Sequence, residues 1–400
     1  GEALTMFAIF QSIRKAARRA ILLPVAAFAL AACDPSAISL GGLGGPAINT
    51  SKPVPVALLV PRGSGAGGDE LLAQNLENAA RLAISDLNGV EIDLRVYGTA
   101  GNPATAASQA ALAVSDGARI ILGPLYGEAA NAAGVAVAQS GVNVLAFSNN
   151  ATIAGGNVFI LGSTFDSAAE RLVTYAASQG KSRIVVSHSS DVAGQLARNA
   201  IQSASSRSAA TIVASVDYPL SQEGVVSAAP RVRDAVNNSA ADSVFLTAPS
   251  AGALPLMSQL LPEAGVNPET VQYMGLARWD IPPQTLDLPG LQGGWFALPD
   301  PGRTSAFRNR YQASYGSAPH PLAGLAYDGI AAIGALVQQG RSNALTGAAL
   351  TQSAGFQGAS GIFRLRPDGT NQRGLAIATI QDNKVVVISA APNGFGGAGF

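Results

Sequence analysis

From position 53 onward, short runs of β-branched and apolar residues alternate with longer stretches of mixed character. PVALLV (55–60), IDLRVYG (92–98), ARIILG (118–123) and VNVLAFS (142–148) predict strands. A second series, RIVVSH (183–188), TIVASVDY (211–218), SVFLTA (243–248) and VQYMGL (271–276), repeats the rhythm. Between the first two runs, Leu72, Leu76, Ala79, Leu82 and Ala83 recur at three- and four-residue spacing, the stripe of a helix that covers a sheet. This alternation predicts an α/β fold with doubly wound parallel sheets. Beyond Trp295 the pattern changes. TSAFRNRYQASYG (304–316) and PLAGLAYDGIAAIGALVQQG (321–340) predict two helices, and GIFRLRPDG (361–369) with RGLAIATIQDNKVVVISA (373–390) predicts a closing hairpin turned at Asp368-Gly369.

The first fifty residues have another character. Arg14, Lys15, Arg18 and Arg19 precede the apolar run 20–29, which is too short to span a bilayer as a mature helix and predicts a signal peptide over 1–32. It ends in Leu30-Ala31-Ala32-Cys33, which resembles the lipobox of bacterial lipoproteins. The resemblance implies lipid attachment at Cys33 and a periplasmic protein anchored to the inner or outer membrane; the alternative is a signal peptide without lipidation. Residues 33–53, rich in Gly, Ser and Pro, read as a tether, and the Gly-rich 391–400 reads as a flexible tail.

Composition narrows the function. With 25 basic and 25 acidic side chains in 400 residues there is no net field to draw nucleic acid. Charged residues at 12%, hydrophobic ones at 48% and 45 glycines suit buried sheet with many tight turns. At roughly 150 residues per domain the length that would be exported suggests about two domains. Cys33 is the only cysteine, which leaves none for a disulfide, a thiol nucleophile or a cysteine metal site.

The candidate catalytic motifs do not assemble. Gly63-Ser64-Gly65-Ala66-Gly67-Gly68 matches G-x-G-x-x-G, but Asp69 and Glu70 would repel a pyrophosphate at the helix start, and the second strand ends in Val96-Tyr97-Gly98 without an acidic ribose partner. Ser178 and Lys181 fit S-x-x-K without the S-D-N and K-T-G motifs that accompany it in penicillin-recognising enzymes. His188 and His320 lack metal-ligand spacing. The expectation is a protein that is not an enzyme and holds no cofactor or metal.

GPLYGEA (123–129), GVNVLAFSNN (141–150), VFILGST (158–164), GGWFALPDP (293–301), FRNRYQASYGSAPHPLAGLAYD (307–328) and GIFRLRPDG (361–369), in that order, resemble the type I periplasmic binding proteins that include leucine/isoleucine/valine receptors. Within that group the set is most similar to the proteobacterial lipoproteins named penicillin-binding protein activators. The resemblance implies two lobes joined by three crossovers near 161–164, 293–297 and 341–349. Lobe 1 would be 54–163 plus 297–339, lobe 2 would be 164–294 plus 346–390, and a ligand cleft would lie between them.

The same resemblance implies cleft residues, and several family anchors are missing. The hydroxyl that holds a ligand carboxylate falls at Gly127, the acidic residue that holds an ammonium falls at Leu276 or Ala277, and the aromatic of the lobe 2 Tyr-Gly pair falls at Ala193. The remaining candidates are Ser64, Tyr126, Ser148, Asn149, Asn150 and Thr152 on lobe 1, with His188, Asp191, Thr247, Ser250, Arg278 and Asp280 on lobe 2. Arg278 suggests an anionic or hydroxylated ligand, or none. Two functions follow: a scaffold that docks on a cell-wall synthase, favoured by the similarity to the activator branch and by the missing anchors, and a receptor that delivers an amino acid or other small polar solute to an ABC permease, supported by the retained polar cleft residues.

Overall fold

The computed structural model describes residues 44–396. The expected signal peptide and Cys33 lie outside them. The first part of the chain runs β1 (Val54–Val60), α1 (Asp69–Ser85), β2 (Ile92–Gly98), α2 (Pro103–Ser115), β3 (Ile120–Leu122), α3 (Gly127–Val137), β4 (Asn143–Ala146) and β5 (Val158–Ile160). These strands form one parallel sheet in the order β2-β1-β3-β4-β5. Side-chain alternation along β1 explains both layers: Val56, Leu58 and Val60 enter the core shared with α1, whereas Ala57 and Leu59 enter the one shared with α2 and α3. α2 starts where it does because the Asn102 side chain accepts from the backbone of Ala104 and Thr105, with Pro103 in the first turn.

The chain continues through α4 (Phe165–Ser178), β6 (Arg183–Ser189), α5 (Val192–Ser205), β7 (Thr211–Tyr218), α6 (Gln222–Ser239), β8 (Ser243–Leu246), α7 (Leu254–Glu263), β9 (Gln272–Gly275) and β10 (Trp295–Leu298). It then runs α8 (Pro301–Tyr315), α9 (Gly324–Val337), α10 (Gly347–Leu350), β11 (Phe356–Gly358), β12 (Gly361–Leu365), β13 (Asn371–Arg373), β14 (Ala376–Gln381) and β15 (Lys384–Ser389). The second sheet has the order β15-β14-β10-β9-β8-β6-β7, with β14 and β15 antiparallel additions to a parallel set. β11, β12 and β13 form a small antiparallel sheet. The architecture is α/β with two lobes. Among the described residues no helix is long and apolar enough to cross a membrane.

Several expected boundaries differ. Ala297 and Leu298, expected in lobe 1, pack into the cores of the second sheet. The stretch 346–390 was expected in lobe 2, yet Leu350, Phe356, Phe363 and Leu365 belong to the first core, and Leu375 is the first of that stretch in a second-sheet core. Residues 44–53 are no free tether: Ile48 is buried in the first core and its backbone N–H donates to the Ser342 carbonyl at 2.8 Å. Nor is the described end of the tail loose, because the Arg364 guanidinium lies over the Phe395 ring, 4.6 Å from its centre. One apolar or aromatic side chain in each segment is enough to dock it. The expected hairpin resolves into two, β12–β13 and β14–β15, the second turned at Asp382 and Asn383, both with positive φ.

Asp86, which ends α1, ties that helix to α8 and α9. Its carboxylate accepts from Arg310 and, at 2.6 Å, from the Tyr327 hydroxyl. Burial pushes its pKa up, but the hydrogen bonds from Arg310 and Tyr327 outweigh burial and hold it below the ordinary value. Because the folded pKa is depressed, the stabilisation is present above the unfolded pKa and lost as pH falls through the folded one. Asp86→Ala is expected to cost about 1–2 kcal/mol at pH 7. The difference from wild type should shrink in urea titrations as the pH falls below the carboxylate range, and an equal difference at pH 7 and pH 3 would contradict the assignment.

Candidate functional site

In a doubly wound sheet the loops at the carboxyl ends of strands diverge where strand order reverses, and a crevice opens there. In the first sheet that point lies between β1 and β3. The loop after β3 begins at Gly123, where φ is +83° and a Cβ would come 2.1 Å from the Leu59 carbonyl oxygen, so only glycine fits. It brings Tyr126 across the reversal. The Tyr126 hydroxyl donates to Asp69 Oδ1 at 2.7 Å, and that bond, with partial burial, raises the tyrosine pKa. Asp69 is itself buried and its Oδ2 has no partner among the described residues. Ser64 lies on the same rim, since a Cβ at Gly101 would contact both Ser64 and the Tyr126 ring.

Beside Tyr126, donors converge on the start of α3. The Tyr126 side chain makes no cap bond, and the first-turn N–H groups of α3 have no side-chain acceptor among the described residues. The Asn150 Oδ1 accepts from the Thr152 backbone N–H at 3.0 Å and hydroxyl at 2.8 Å, which leaves Nδ2 as its outward group. A Cβ at Gly127 would sit 3.3 Å from that Nδ2 and 3.4 Å from Ser148 Oγ. Ser148 Oγ already accepts the Asn150 backbone N–H at 3.1 Å, so its own hydrogen remains to be donated. Amide, hydroxyl and helix N-terminus therefore frame one position above Gly127 at which an oxyanion would be matched. Asn149, the remaining lobe 1 candidate, is exposed.

In the second sheet the order reverses between β6 and β8, and the lobe 2 candidates cluster on the loops there, largely engaged with one another. Asp191 caps α5 by accepting from the Gly194 N–H at 2.9 Å, and it accepts the Ser189 hydroxyl at 2.6 Å; both lower its pKa, the hydroxyl first. Ser250 Oγ donates to the Arg278 carbonyl at 2.7 Å. The Arg278 guanidinium, expected to meet a ligand anion, is paired with Asp280, with Nε 2.9 Å from Oδ1. His188 is 4% exposed with Nδ1 2.8 Å from the Ser189 carbonyl, and the half-buried Thr247 donates its backbone N–H to the Ser187 carbonyl at 3.1 Å. Sequence reasoning passed over two buried hydroxyls: Ser187 Oγ and the Tyr218 hydroxyl have no hydrogen-bond partner among the described residues. Burial, then the Asp191 charge, pushes Tyr218 up to about 12.

No hydrogen bond or ion pair among the described residues joins the lobe 1 set to the lobe 2 set. The glycine-rich loop after β1 is closed from within, because Glu70 Oε1 accepts the Gly63 N–H at 2.5 Å and fills the place of a phosphate oxygen. Among the described residues no group of three His, Cys, Asp or Glu side chains could hold a metal ion.

A family model described as periplasmic binding protein matches residues 53–384. A comparison with curated proteins found no match. Solved structures with the same fold include a branched-chain amino acid ABC transporter protein from Rhodospirillum rubrum, 18% identical with a TM-score of 0.69, covering 84% of this chain and 100% of that one. An ABC transporter substrate-binding protein from Desulfitobacterium hafniense, in complex with Leu, is 18% identical with a TM-score of 0.58, covering 84% and 100%. A solute binding protein of an ABC transporter from Rhodopseudomonas palustris BisB5, in complex with 3,4-dihydroxy benzoic acid, is 18% identical with a TM-score of 0.52, covering 85% and 98%.

Proposed function

The chain belongs to the periplasmic binding protein family, and from that premise we propose that it is a non-catalytic periplasmic receptor that binds a small carboxylate-bearing solute for an ABC permease. The observation that carries the reading is the donor set above Gly127: Asn150 Nδ2, Ser148 Oγ and the uncapped start of α3. The ligands named for two structural neighbours, leucine and a dihydroxybenzoic acid, share only a carboxylate among their charged groups, which supports the same chemistry here. Asp69, linked to this seat through Tyr126, sets one buried carboxylate behind the rim.

The order of the two functions weighed on sequence is thereby reversed. The docking scaffold for a cell-wall synthase rested on similarity to the activator branch and on the lost anchors, but a glycine at 127 opens a seat rather than removing one. Arg278 contributes little to the choice, since Asp280 already balances its charge. Lipid attachment at Cys33 remains part of the proposal.

Equilibrium dialysis of the domain beginning near residue 44 against leucine, benzoate and a neutral sugar tests the reading. Saturable binding of an acid that weakens about tenfold or more in Asn150→Ala is the expected result. Binding of the sugar alone, or of none of the three together with capture of a cell-wall synthase, would return the scaffold or another solute class to first place.

A further inference from the structure

Two arginines of the described chain are buried, and they are treated differently. Arg373 faces the Asp328 carboxylate at 2.8 Å. Arg171, on α4 and 8% exposed, faces no carboxylate among the described residues. Its Nε donates to the Leu375 carbonyl at 2.8 Å, and its Nη2 to Ser389 Oγ at 2.6 Å and the Ala390 carbonyl at 3.2 Å. All three acceptors are neutral, and Nη1 has no hydrogen-bond partner among the described residues. Burial lowers the pKa of this guanidinium, and only the neighbouring Tyr175 phenol acts in the other direction. A buried cation without a counter-charge is costly, so the place where it meets solvent is informative.

That place is a groove of about 630 Å³ along α4, bounded on the far side by the end of β15 and the segment after it. Thr174, Tyr175, Ser178, Asn393 and Phe395 line it with Arg171, and no acidic side chain among the described residues does. The Tyr175 ring is held in an edge contact with Trp295, with centroids 5.0 Å apart, so the groove has a fixed aromatic wall. It lies at the outermost strand of the second sheet and shares no residue with the candidate cleft set. We propose that this groove is a second binding site, for a small organic oxyanion whose carboxylate or phosphate pairs with Arg171 and whose apolar body lies against Tyr175. Its size is that of ordinary small-molecule sites, and the proposal does not depend on what the cleft binds.

The test uses the Gly127→Val chain, in which the cleft seat is blocked, and follows thermal unfolding with phenyl phosphate, inorganic phosphate and benzyl alcohol. Phenyl phosphate should raise the melting temperature by about 2–5 °C, saturating at one equivalent per chain, with a smaller shift for inorganic phosphate and none for benzyl alcohol. Thr174→Glu places a carboxylate one helical turn from Arg171. It should raise the melting temperature without ligand and abolish the phenyl phosphate response. No saturable response in the Gly127→Val chain, a response that survives Thr174→Glu, or a Thr174→Glu chain no more stable than its parent would each overturn the proposal.

Discussion

Replacing Asp328 with alanine is expected to destabilise the protein by about 3–5 kcal/mol, because it leaves the Arg373 guanidinium buried without a counter-charge. Asp328 sits on α9 with its side chain 1% exposed, and Arg373 sits on β13 with its side chain 5% exposed. The carboxylate also accepts the Ala359 N–H at 2.7 Å, and Arg373 donates to the Leu161 carbonyl where the chain leaves β5. The pair thus fastens a helix, the small sheet and the first crossing together. Space for it is kept by Gly358, where a Cβ would come 2.3 Å from the Asp328 carboxylate. Removing both charges with Asp328→Leu and Arg373→Met should cost much less than the single change, since no unpaired ion is left. Urea unfolding of the three proteins decides the matter, and a single variant within about 1 kcal/mol of wild type would show that Arg373 finds other compensation.

The strands were readable where period and length agreed. IDLRVYG and TIVASVDY coincide with β2 and β7 residue for residue, because turn-forming residues bound both runs. Segment 44–53 and the described end of the tail were misread because composition registers Gly, Ser and Pro but not one buried Ile48 or one stacked Phe395. The passage between lobes near 373–375 was invisible for another reason: β13 and β14 are separated by two residues, yet they join different sheets. At the site, Ser148, Asn150 and Thr152 stood out as a polar cluster after an apolar strand, and the structure links them. Asp69 did not, since an acid at a helix start reads as a dipole partner until Tyr126, 57 residues on, is seen bonded to it. Arg278 and Asp280 were separate ligand candidates on sequence, and folding turned them into each other's partners. Arg171 reads as one more solvent-facing helix charge until its burial is known.

Gly127→Val is expected to weaken binding of the acid by roughly a hundredfold or more while leaving the empty protein folded. Gly127 opens α3 without a positive φ, so a side chain there strains no backbone, and its Cβ would meet only the Asn150 amide nitrogen and the Ser148 hydroxyl at 3.3 and 3.4 Å before the next atoms of the asparagine. The added methyl groups would instead occupy the position where these donors and the first N–H groups of α3 converge. Each hydrogen bond to a charged group contributes about 1.5–3 kcal/mol, so losing two of them should weaken binding by roughly a hundredfold or more. The wild-type protein at a thousandfold excess of solute over its dissociation constant should gain about 4 kcal/mol, and the valine variant at the same solute concentration should gain no more than about 1.4 kcal/mol. The comparison is made by thermal unfolding with and without solute, and unfolding of the empty variant at the wild-type temperature shows that the fold is intact. Gly127→Ser, which adds a hydroxyl at the same place, should bind more tightly than valine and at least as tightly as glycine. If valine and glycine bind the acid equally, the carboxylate does not sit above Gly127, and the donor set there serves only to hold the loop after β4 against α3.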